Sequence, residues 1–395
     1  MSERRLIYFD NHATTRVDPD AIDAIVRLSE SHYANAGSAT HEAGREVADQ
    51  VRMAFETVAN AIHSSSDEVV MTSGATESNN LAIMGVCLHP RQKRRRIVSV
   101  QTEHLAILDP LERLKALGFE VVLLPVFPQG HPECGRIDLE QAAAAINENS
   151  ALVTVMLANN EIGVIQPLAQ LAQICRRWEV PLHTDATQAV GHIDTDVDKL
   201  NVDLMSFSAH KFYGPKGVGG LFVRQRDRHV RLYSQVVGGG QQGNRRAGTL
   251  NSPGIVGMAV ALQNCTNNAT IDRPRMETMR NRLWSIINAN GGNQVSLNGP
   301  ALDSNWRLTR NLNCRWENVE GQAMMLACPE ICASSGSACT SANPSPSHVL
   351  QAIGLSVDQA RCSLRFGIGR FNTEQEIEDA AEIIVSQYAK LLELT

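Results

Sequence analysis

The sequence predicts an α/β protein in which a parallel or mixed sheet is covered by helices on both faces. From Val69 to Val223, short β-branched runs alternate with helical stretches, and this alternation is typical of βαβ units. The C-terminal part differs, because Asp272 to Ala289 and Thr373 to Leu392 have the pattern of long amphipathic helices with shorter strands between them. We therefore expect a second, smaller α+β domain after about residue 255.

The predicted elements of the first region follow one another in a regular order. Val69 to Thr72 has a strand pattern and leads through Gly74 into a helix from Ser78 to Val86. A second strand, Ile97 to Val100, precedes an amphipathic helix from Ala106 to Leu117. Further strand candidates are Glu120 to Pro125, Ala151 to Leu157, Pro181 to Thr184, Asp203 to Phe207 and Gly220 to Val223, with helices at about 138–147 and 168–178.

Composition excludes several classes of protein. The chain has 395 residues, of which 43% are hydrophobic and 20% charged, so it can build a substantial core. A net charge of −6 gives no overall basic field for nucleic acid. No apolar run approaches the roughly 18 residues needed to cross a bilayer, and the N-terminus lacks the apolar stretch of a signal peptide. We expect a cytoplasmic protein that binds neither nucleic acid nor membrane.

Nine cysteines are scattered along the chain. Their odd number and the length of the chain argue against a disulfide framework. Cys328, Cys332 and Cys339 lie close together, which raises the possibility of a metal site. Because no C-x2-C pair and no second ligand pair are present, a closed structural zinc site is disfavoured.

Cys339 stands out because small and hydroxyl-bearing residues, from Ser334 to Ala342, surround it. Such a segment has little apolar surface to bury, whereas thiols usually prefer burial. Cys339 is either a nucleophile on a movable arm or an ordinary loop cysteine, and the segment alone leaves both interpretations open.

Two polar residues follow predicted strands where α/β sheets place their ligands. Lys211 lies just beyond the strand Asp203 to Phe207, and Asp185 ends the strand that begins at Pro181. A lysine amine can form a Schiff base, and a carboxylate facing a pyridine nitrogen keeps that nitrogen protonated. The alternatives are a surface lysine and a helix N-cap.

A third junction of this kind spans Thr72 to Glu77, where a strand passes through Gly74 into a helix. The free amides of a helix N-terminus and the Thr76 hydroxyl suit a phosphate, although plain capping is an alternative. A Schiff-base lysine, a ring carboxylate and a phosphate cup are together the parts of a pyridoxal-phosphate site.

The chain resembles the NifS/IscS cysteine desulfurases, which belong to the fold type I, aminotransferase class V enzymes that use pyridoxal phosphate. The resemblance extends from Tyr8 to Phe371, nearly the whole chain. The Cys339 segment is similar to that of the long-loop group. The motifs that carry the resemblance are Ser-Gly-Ala-Thr-Glu-Ser at 73–78, Asn-Asn-Glu-Ile-Gly at 159–163, Asp-Ala-Thr-Gln at 185–188, Ser-Ala-His-Lys at 208–211 and Ser-Ser-Gly-Ser-Ala-Cys-Thr-Ser-Ala at 334–342.

The resemblance implies a domain organisation. Residues 18–255 would form a large cofactor-binding domain around a mixed, mostly parallel, seven-stranded sheet. Residues 1–17 and 256–395 would form the small domain, which carries the Cys339 loop.

The resemblance also implies residue roles. Lys211 would hold the cofactor covalently, Asp185 would pair with its ring nitrogen, and His104 would stack on the ring and assist proton transfer. Cys339 would be the nucleophile and a candidate transient ligand of an iron–sulfur cluster, and no other metal ligand is expected. The remaining binding residues would be Asn160 and Gln188 at the phenolic oxygen, Ala75, Thr76, Ser208 and His210 at the phosphate, Thr249 at the phosphate of the neighbouring subunit, and Asn35 and Arg365 at the substrate carboxylate.

The implied activity is removal of sulfur from L-cysteine, which gives L-alanine and a persulfide on Cys339. The implied partners are a second subunit, in a homodimer, and a sulfur-acceptor protein such as an iron–sulfur scaffold or a thiolation carrier. Two alternatives stay open: another class V enzyme, such as an aminotransferase or selenocysteine lyase, and a non-enzymatic iron–sulfur or metal carrier that uses Cys328, Cys332 and Cys339.

Three features depart from the family pattern. The usual Gly-Asn-Pro is replaced by Ala34-Asn35-Ala36, so we expect a more mobile loop around Asn35. Ala247 replaces a serine, and one hydroxyl near the phosphate is lost. The sequence ends at Thr395 without the extended tail with which Isc-type enzymes contact their scaffold, which puts that contact in doubt.

Overall fold

A computed structural model describes residues 6–335 and 346–394, so Cys339 lies outside the described residues. Within those ranges the chain forms twelve strands and twelve α-helices. The strands are β1 Ile7–Tyr8, β2 Val69–Thr72, β3 Arg96–Val100, β4 Glu120–Leu124, β5 Ser150–Thr154, β6 Leu182–Asp185, β7 Leu204–Ser208, β8 Gly219–Val223, β9 Val295–Leu297, β10 Asn311–Trp316, β11 Ile331–Cys332 and β12 Ser363–Gly367. The helices are α1 Pro19–Glu30, α2 Glu42–Ala61, α3 Ala75–Cys87, α4 Leu105–Ala116, α5 Leu139–Ala145, α6 Leu168–Arg177, α7 Val197–Leu200, α8 Ser252–Gly291, α9 Gly321–Ala327, α10 His348–Ala352, α11 Val357–Arg361 and α12 Glu374–Leu392.

The largest sheet has seven strands in the order β2-β8-β7-β6-β5-β3-β4. All neighbouring pairs are parallel except those that involve β8, which runs antiparallel to both β2 and β7. Strands β5, β6, β7 and β8 are buried along their whole length, as expected for a sheet covered on both faces. The predicted α/β fold with a mixed, mostly parallel, seven-stranded sheet is confirmed.

Two smaller sheets lie in the C-terminal part. Strand β10 pairs antiparallel with β9 and β12, and the N-terminal strand β1 pairs parallel with β11. An isolated bridge between Asp10 and Gly367 connects the two sheets. This region has its own apolar cluster, which includes Phe9, Trp316 and Phe366.

Helix α8 is longer than the sequence pattern indicates, because it begins at Ser252 rather than near Asp272. Asn251 accepts a hydrogen bond from the Gly254 amide at 3.1 Å and so caps the first turn. Residues in the first half of α8 pack into the cluster around the large sheet, and residues of the second half pack into the C-terminal cluster. The predicted domain boundary at 255/256 falls in the first turns of this helix and stays a prediction.

Most predicted elements of the first region match the observed ones to within a few residues at each end. The predicted strand from Ala151 to Leu157 ends as β5 at Thr154, although the amides of Val155 and Leu157 still donate to carbonyls of β6. In the described ranges, no helix combines the length and the apolar character that a membrane span requires.

Candidate active site

The carboxyl ends of five strands lead to a single cavity of about 580 Å³. Strands β3, β5, β6 and β7 are parallel, and β2 points the same way because both β2 and β7 are antiparallel to β8. Residues that follow these strand ends therefore meet at one edge of the sheet. Ten of the predicted site residues line the cavity: Ala75, Thr76, His104, Asn160, Asp185, Gln188, Ser208, His210, Lys211 and Arg365.

Lys211 lies in a short 3-10 helix, Ala209–Lys211, directly after β7. Its amine Nζ donates to the carbonyl of His12 at 2.7 Å and to that of Ala13 at 2.6 Å. The N-terminal segment therefore fixes the position of the amine, although Lys211 and His12 are far apart in sequence. This lysine is the only amine besides Lys216 among the described residues that line the cavity.

Asp185 ends β6 and is 5% exposed. Its carboxylate accepts from Asn79 Nδ2 at 2.7 Å and from the Thr187 amide at 2.9 Å. Within residues 6–335 and 346–394, no arginine or lysine forms a salt bridge with it. A buried carboxylate that is held by neutral donors and faces a cavity can still accept a hydrogen bond from a cationic ligand.

Helix α3 begins at the cavity, and its first residue follows Gly74. No side chain caps this N-terminus, so its free amides are available to an anion. Gly74 has φ of +148°, a conformation that other residues rarely adopt, and a Cβ there would lie 3.4 Å from Ser208 Oγ. With Thr76 and His210 nearby, this end of the cavity has the donors that a phosphate requires.

Burial determines the charge of the histidines at this site. It lowers the pKa of His104, against the opposing effect of Asp185. Burial and the neighbouring Lys211 lower the pKa of His210 to about 4. Both rings are therefore neutral at pH 7, and His104 Nδ1 accepts from the Ala106 amide at 3.0 Å as the N-cap of α4.

Arg365 on β12 reaches the cavity from the C-terminal region. Its Nη2 donates to Asp10 Oδ1 at 2.9 Å and to Ser334 Oγ at 2.7 Å, and its Nη1 donates to the Asn160 carbonyl at 3.2 Å. The buried Nε has no hydrogen-bond partner among the described residues. The guanidinium is thus held in place and retains capacity for an anion such as a carboxylate.

Three predicted residues are not among those that line the cavity. Asn35 is exposed, and its side-chain oxygen accepts from the Gly37 amide at 2.8 Å. Thr249 is also exposed, close to Arg246, which pairs with the cavity residue Glu77 at 2.7 Å. The prediction for Cys339 falls outside the described residues.

The other cysteines carry no metal site in the part of the chain that the structure describes. No group of three or more potential ligands comes together there, and none of the eight described cysteines forms a disulfide. Burial raises the pKa of Cys328 to about 11, so this thiol stays protonated at neutral pH.

Sequence reasoning assigned no role to several residues that surround the predicted ones. His12 lines the cavity, and Asn79 holds Asp185. Glu103 is fully buried next to His104, and burial together with Asp185 raises its pKa well above the usual value. His12 lies only four residues after Tyr8, where the family resemblance begins, whereas Asn79 and Asp185 are 106 positions apart.

These features fit pyridoxal phosphate. Thr187 Oγ1, Asn79 Oδ1 and Arg365 Nε are buried and lack hydrogen-bond partners in the described ranges, and Thr187 and Arg365 line the cavity. An uncapped helix N-terminus supplies donors for a phosphate, Asp185 can face a ring nitrogen, and Lys211 supplies an amine.

Comparison with known proteins agrees with this arrangement. The sequence profile of the aminotransferase class-V family matches residues 7–379. A protein named cysteine desulfurase IscS from Anaeromyxobacter dehalogenans is 43% identical over 390 residues, which cover 98% of this chain and 94% of that protein. A mouse protein named cysteine desulfurase is 42% identical and covers 99% of this chain and 83% of the relative.

Solved structures extend the comparison. A NifS-like protein superposes with a TM-score of 0.88 at 32% identity, covering 99% of this chain and all of the other. A structure described as SspA in complex with cysteine has a TM-score of 0.79 at 32% identity, covering 93% and 99%. The chain therefore belongs to the aminotransferase class-V family.

Proposed function

We propose that this chain is a cysteine desulfurase that uses pyridoxal phosphate to convert L-cysteine to L-alanine and carries the released sulfur as a persulfide on Cys339. The observation that carries the proposal is that Lys211, Asp185 and Arg365, from three different parts of the chain, line the same cavity. Near-full-length relatives named cysteine desulfurase and the solved relative in complex with cysteine support the reaction and its substrate.

The cofactor would lie with its phosphate at the N-terminus of α3 and its ring beside β6. Lys211 would hold it covalently, Asp185 would accept from the ring nitrogen, and His104 would stack on the ring. When bound, pyridoxal phosphate supplies an electron-withdrawing ring that acidifies the α-proton of an amino acid. The other contacts would come from Asn160 and Gln188 at the phenolic oxygen and from Ala75, Thr76, Ser208 and His210 at the phosphate.

Substrate orientation would depend on Arg365. Its guanidinium is already fixed by Asp10 and Ser334, so little further ordering is needed when a carboxylate binds. Asn35 would be the second carboxylate ligand, and its exposed loop would have to approach the cavity for this contact.

Proton transfer would fall to Lys211 and His104. The His12 and Ala13 carbonyls would hold the free Lys211 amine in a defined position, where it would accept the substrate α-proton as a general base. His104 would assist as a donor: burial lowers its pKa and keeps the imidazole neutral at pH 7, and because Nδ1 accepts from the Ala106 amide, Nε2 carries the proton.

Cys339 would accept the sulfur. The Cys339 thiolate attacks the sulfur of cysteine, a sulfur–sulfur bond forms, and the carbon–sulfur bond breaks with its electron pair left on the substrate carbon. Protonation of that carbon gives alanine, so cysteine and a thiol become alanine and a persulfide without an external oxidant.

A Cys339→Ser variant tests the assignment. We expect the purified variant to retain the absorption of the bound cofactor and to lose at least about a hundredfold in alanine formation from cysteine, because a hydroxyl cannot accept the sulfur. Cys332→Ser is the matched control and should keep normal activity. Unchanged alanine formation by Cys339→Ser would contradict the role of Cys339, and amino transfer to a keto acid would favour an aminotransferase instead.

The partners follow from the same proposal. A homodimer would place Thr249 at the phosphate of the neighbouring subunit, and an acceptor protein for iron–sulfur cluster or thio-cofactor synthesis would take the sulfur. Transient cluster ligation by Cys339 and a cytoplasmic location stay predictions.

A further inference from the structure

Arg310 is a buried cation that the reaction described above does not use. It directly precedes β10 and is 1% exposed. Its Nη2 donates to Gln188 Oε1 at 2.9 Å and its Nη1 to the Asn11 carbonyl at 3.4 Å, while Nε has no partner in the described ranges. Among residues 6–335 and 346–394, no carboxylate pairs with it. A buried charge without an ionic partner lowers the stability of the fold, so we expect Arg310 to have a role in function that offsets this loss.

The contact with Arg310 fixes the orientation of the Gln188 amide. An arginine can only donate, so the atom of Gln188 that faces Arg310 must be the carbonyl oxygen Oε1. The amide nitrogen Nε2 then faces the other way and donates to the His12 carbonyl at 2.9 Å. Within the described ranges, the His12 carbonyl is the only acceptor for this nitrogen, and Gln188 lines the cavity.

The same contact determines the tautomer of His12. Its Nδ1 lies 2.9 Å from Gln188 Oε1, which has no proton to give, so Nδ1 must carry the proton. Nε2 is then the acceptor, and the Asn311 side-chain nitrogen lies 3.3 Å from it. Burial and the guanidiniums of Arg310 and Arg365, with Lys211 also near, lower the pKa of His12 well below its usual value.

Gln188 and the reactive Lys211 share one hydrogen-bond acceptor, the His12 carbonyl. The His12 carbonyl accepts both from Gln188 Nε2, at 2.9 Å, and from Lys211 Nζ, at 2.7 Å. If Gln188 were reversed, its oxygen would face that carbonyl, and two acceptors would repel each other. The orientation of Gln188 is therefore linked to the place where the Lys211 amine rests.

We propose that Arg310 is a positioning residue of the active site. It orients Gln188 so that the amide donates to the His12 carbonyl and toward the cavity, and it places a fixed positive charge behind Lys211. Both effects favour a negatively charged oxygen on the cofactor ring and disfavour a proton on the nitrogen that joins Lys211 to the cofactor. The inference rests on the proposed function, because the ligand is taken to be pyridoxal phosphate.

The test uses the full-length enzyme loaded with pyridoxal phosphate. The visible absorption band of the enzyme shifts when the nitrogen that joins Lys211 to the cofactor loses its proton. The pH at which half of this shift has occurred, the midpoint, therefore reports the electrostatic potential at Lys211. Arg310→Met removes both the charge and the hydrogen bond. We expect the midpoint to rise by about one pH unit and cofactor affinity, measured by fluorescence titration of the apoenzyme, to fall about tenfold. The other titratable and charged groups that line the cavity are unchanged in this variant, namely His12, Glu77, His104, Asp185, His210, Lys216 and Arg365.

Two further variants separate positioning from structural support. Arg310→Lys keeps a donor and a charge and should restore the midpoint to within about 0.3 units. Arg280→Met removes another fully buried arginine, one that donates to the Leu302 carbonyl and does not line the cavity, and should lower stability without moving the midpoint.

An Arg310→Met enzyme with an unchanged midpoint and unchanged affinity would overturn the inference. If Arg310→Met does not fold, Arg310→Gln replaces it and must show the same upward shift of the pH midpoint. An Arg310→Gln enzyme with the midpoint of the wild type would also overturn the inference. A wild-type enzyme that gives no visible band with pyridoxal phosphate overturns the proposed function and the inference together, whereas a normal wild type with unshifted variants overturns the inference alone.

Discussion

Two buried aspartates at opposite edges of the large sheet have different partners. Asp203 precedes β7 at the amino edge and accepts from Arg176 at 2.8 Å, from Arg228 at 2.7 Å and from the Leu182 amide at 2.8 Å. Asp185 ends β6 at the carboxyl edge, and its donors are Asn79 and the Thr187 amide, both neutral. One carboxylate is neutralised within the fold, and the other is left able to face a cationic ligand. This is the difference expected between a structural acid and an acid with the role that we propose for Asp185.

The largest effect should come from Asp185→Asn. The amide can still be held by its neighbours but no longer stabilises a positive charge, so we expect activity to fall about a thousandfold with a melting temperature close to that of the wild type. Alanine formation from cysteine and thermal unfolding are the two measurements. A large loss of stability with normal activity in the folded fraction would place Asp185 with Asp203 as a structural residue.

Asp203→Ala should show the opposite pattern. The change leaves two guanidiniums and the Leu182 amide without their acceptor, and we expect about 3 kcal/mol less free energy of unfolding. Urea denaturation measures this loss, and the activity per folded molecule should stay within about twofold of the wild type. A folded variant with full stability but no cofactor would show that the two edges are not independent.

His183 lies on β6 between the two edges of the sheet, and its titration provides a third prediction. It is fully buried between Thr154 and Ser206, and burial lowers its pKa to about 4. In the unfolded chain the imidazole takes up a proton below about pH 6.5, whereas in the folded chain it stays neutral down to about pH 4. The burial of neutral His183 therefore contributes fully to stability above pH 6.5, and this contribution is lost as the pH falls toward 4.

We expect this histidine to contribute a slope of about 1.4 kcal/mol per pH unit to the free energy of unfolding in that window. Urea unfolding at several pH values measures the slope, and His183→Asn should flatten it. If the slope is the same in both proteins, His183 does not stay neutral in the fold.

Sequence reasoning found the parts of the site whose signals are local. Lys211 and Asp185 were recognisable because each follows a strand end, and parallel strands bring such ends together. Gly74 was recognisable as the junction between β2 and α3. These positions needed no knowledge of distant contacts.

The supporting residues could not be found in that way. Arg310 and Gln188 are 122 positions apart, and Asn79 and Asp185 are 106 apart, so each contact depends on the complete topology. The early start of α8 was missed for a different reason. Its first turns are buried on nearly all sides, from Ile255 to Leu262, and a helix without a polar face lacks the amphipathic pattern by which helices are recognised.

Helix α8 also has a consequence for how the molecule holds together. Its 40 residues span about 60 Å and pass from the core of the large sheet into the C-terminal core. Because α8 contributes to both cores, with Pro274 in its interior, unfolding of either core removes packing contacts from the helix on which the other core also depends. The two cores are thus thermodynamically linked through a shared backbone, and the Lys211 and Arg365 sides of the cavity lose their alignment together.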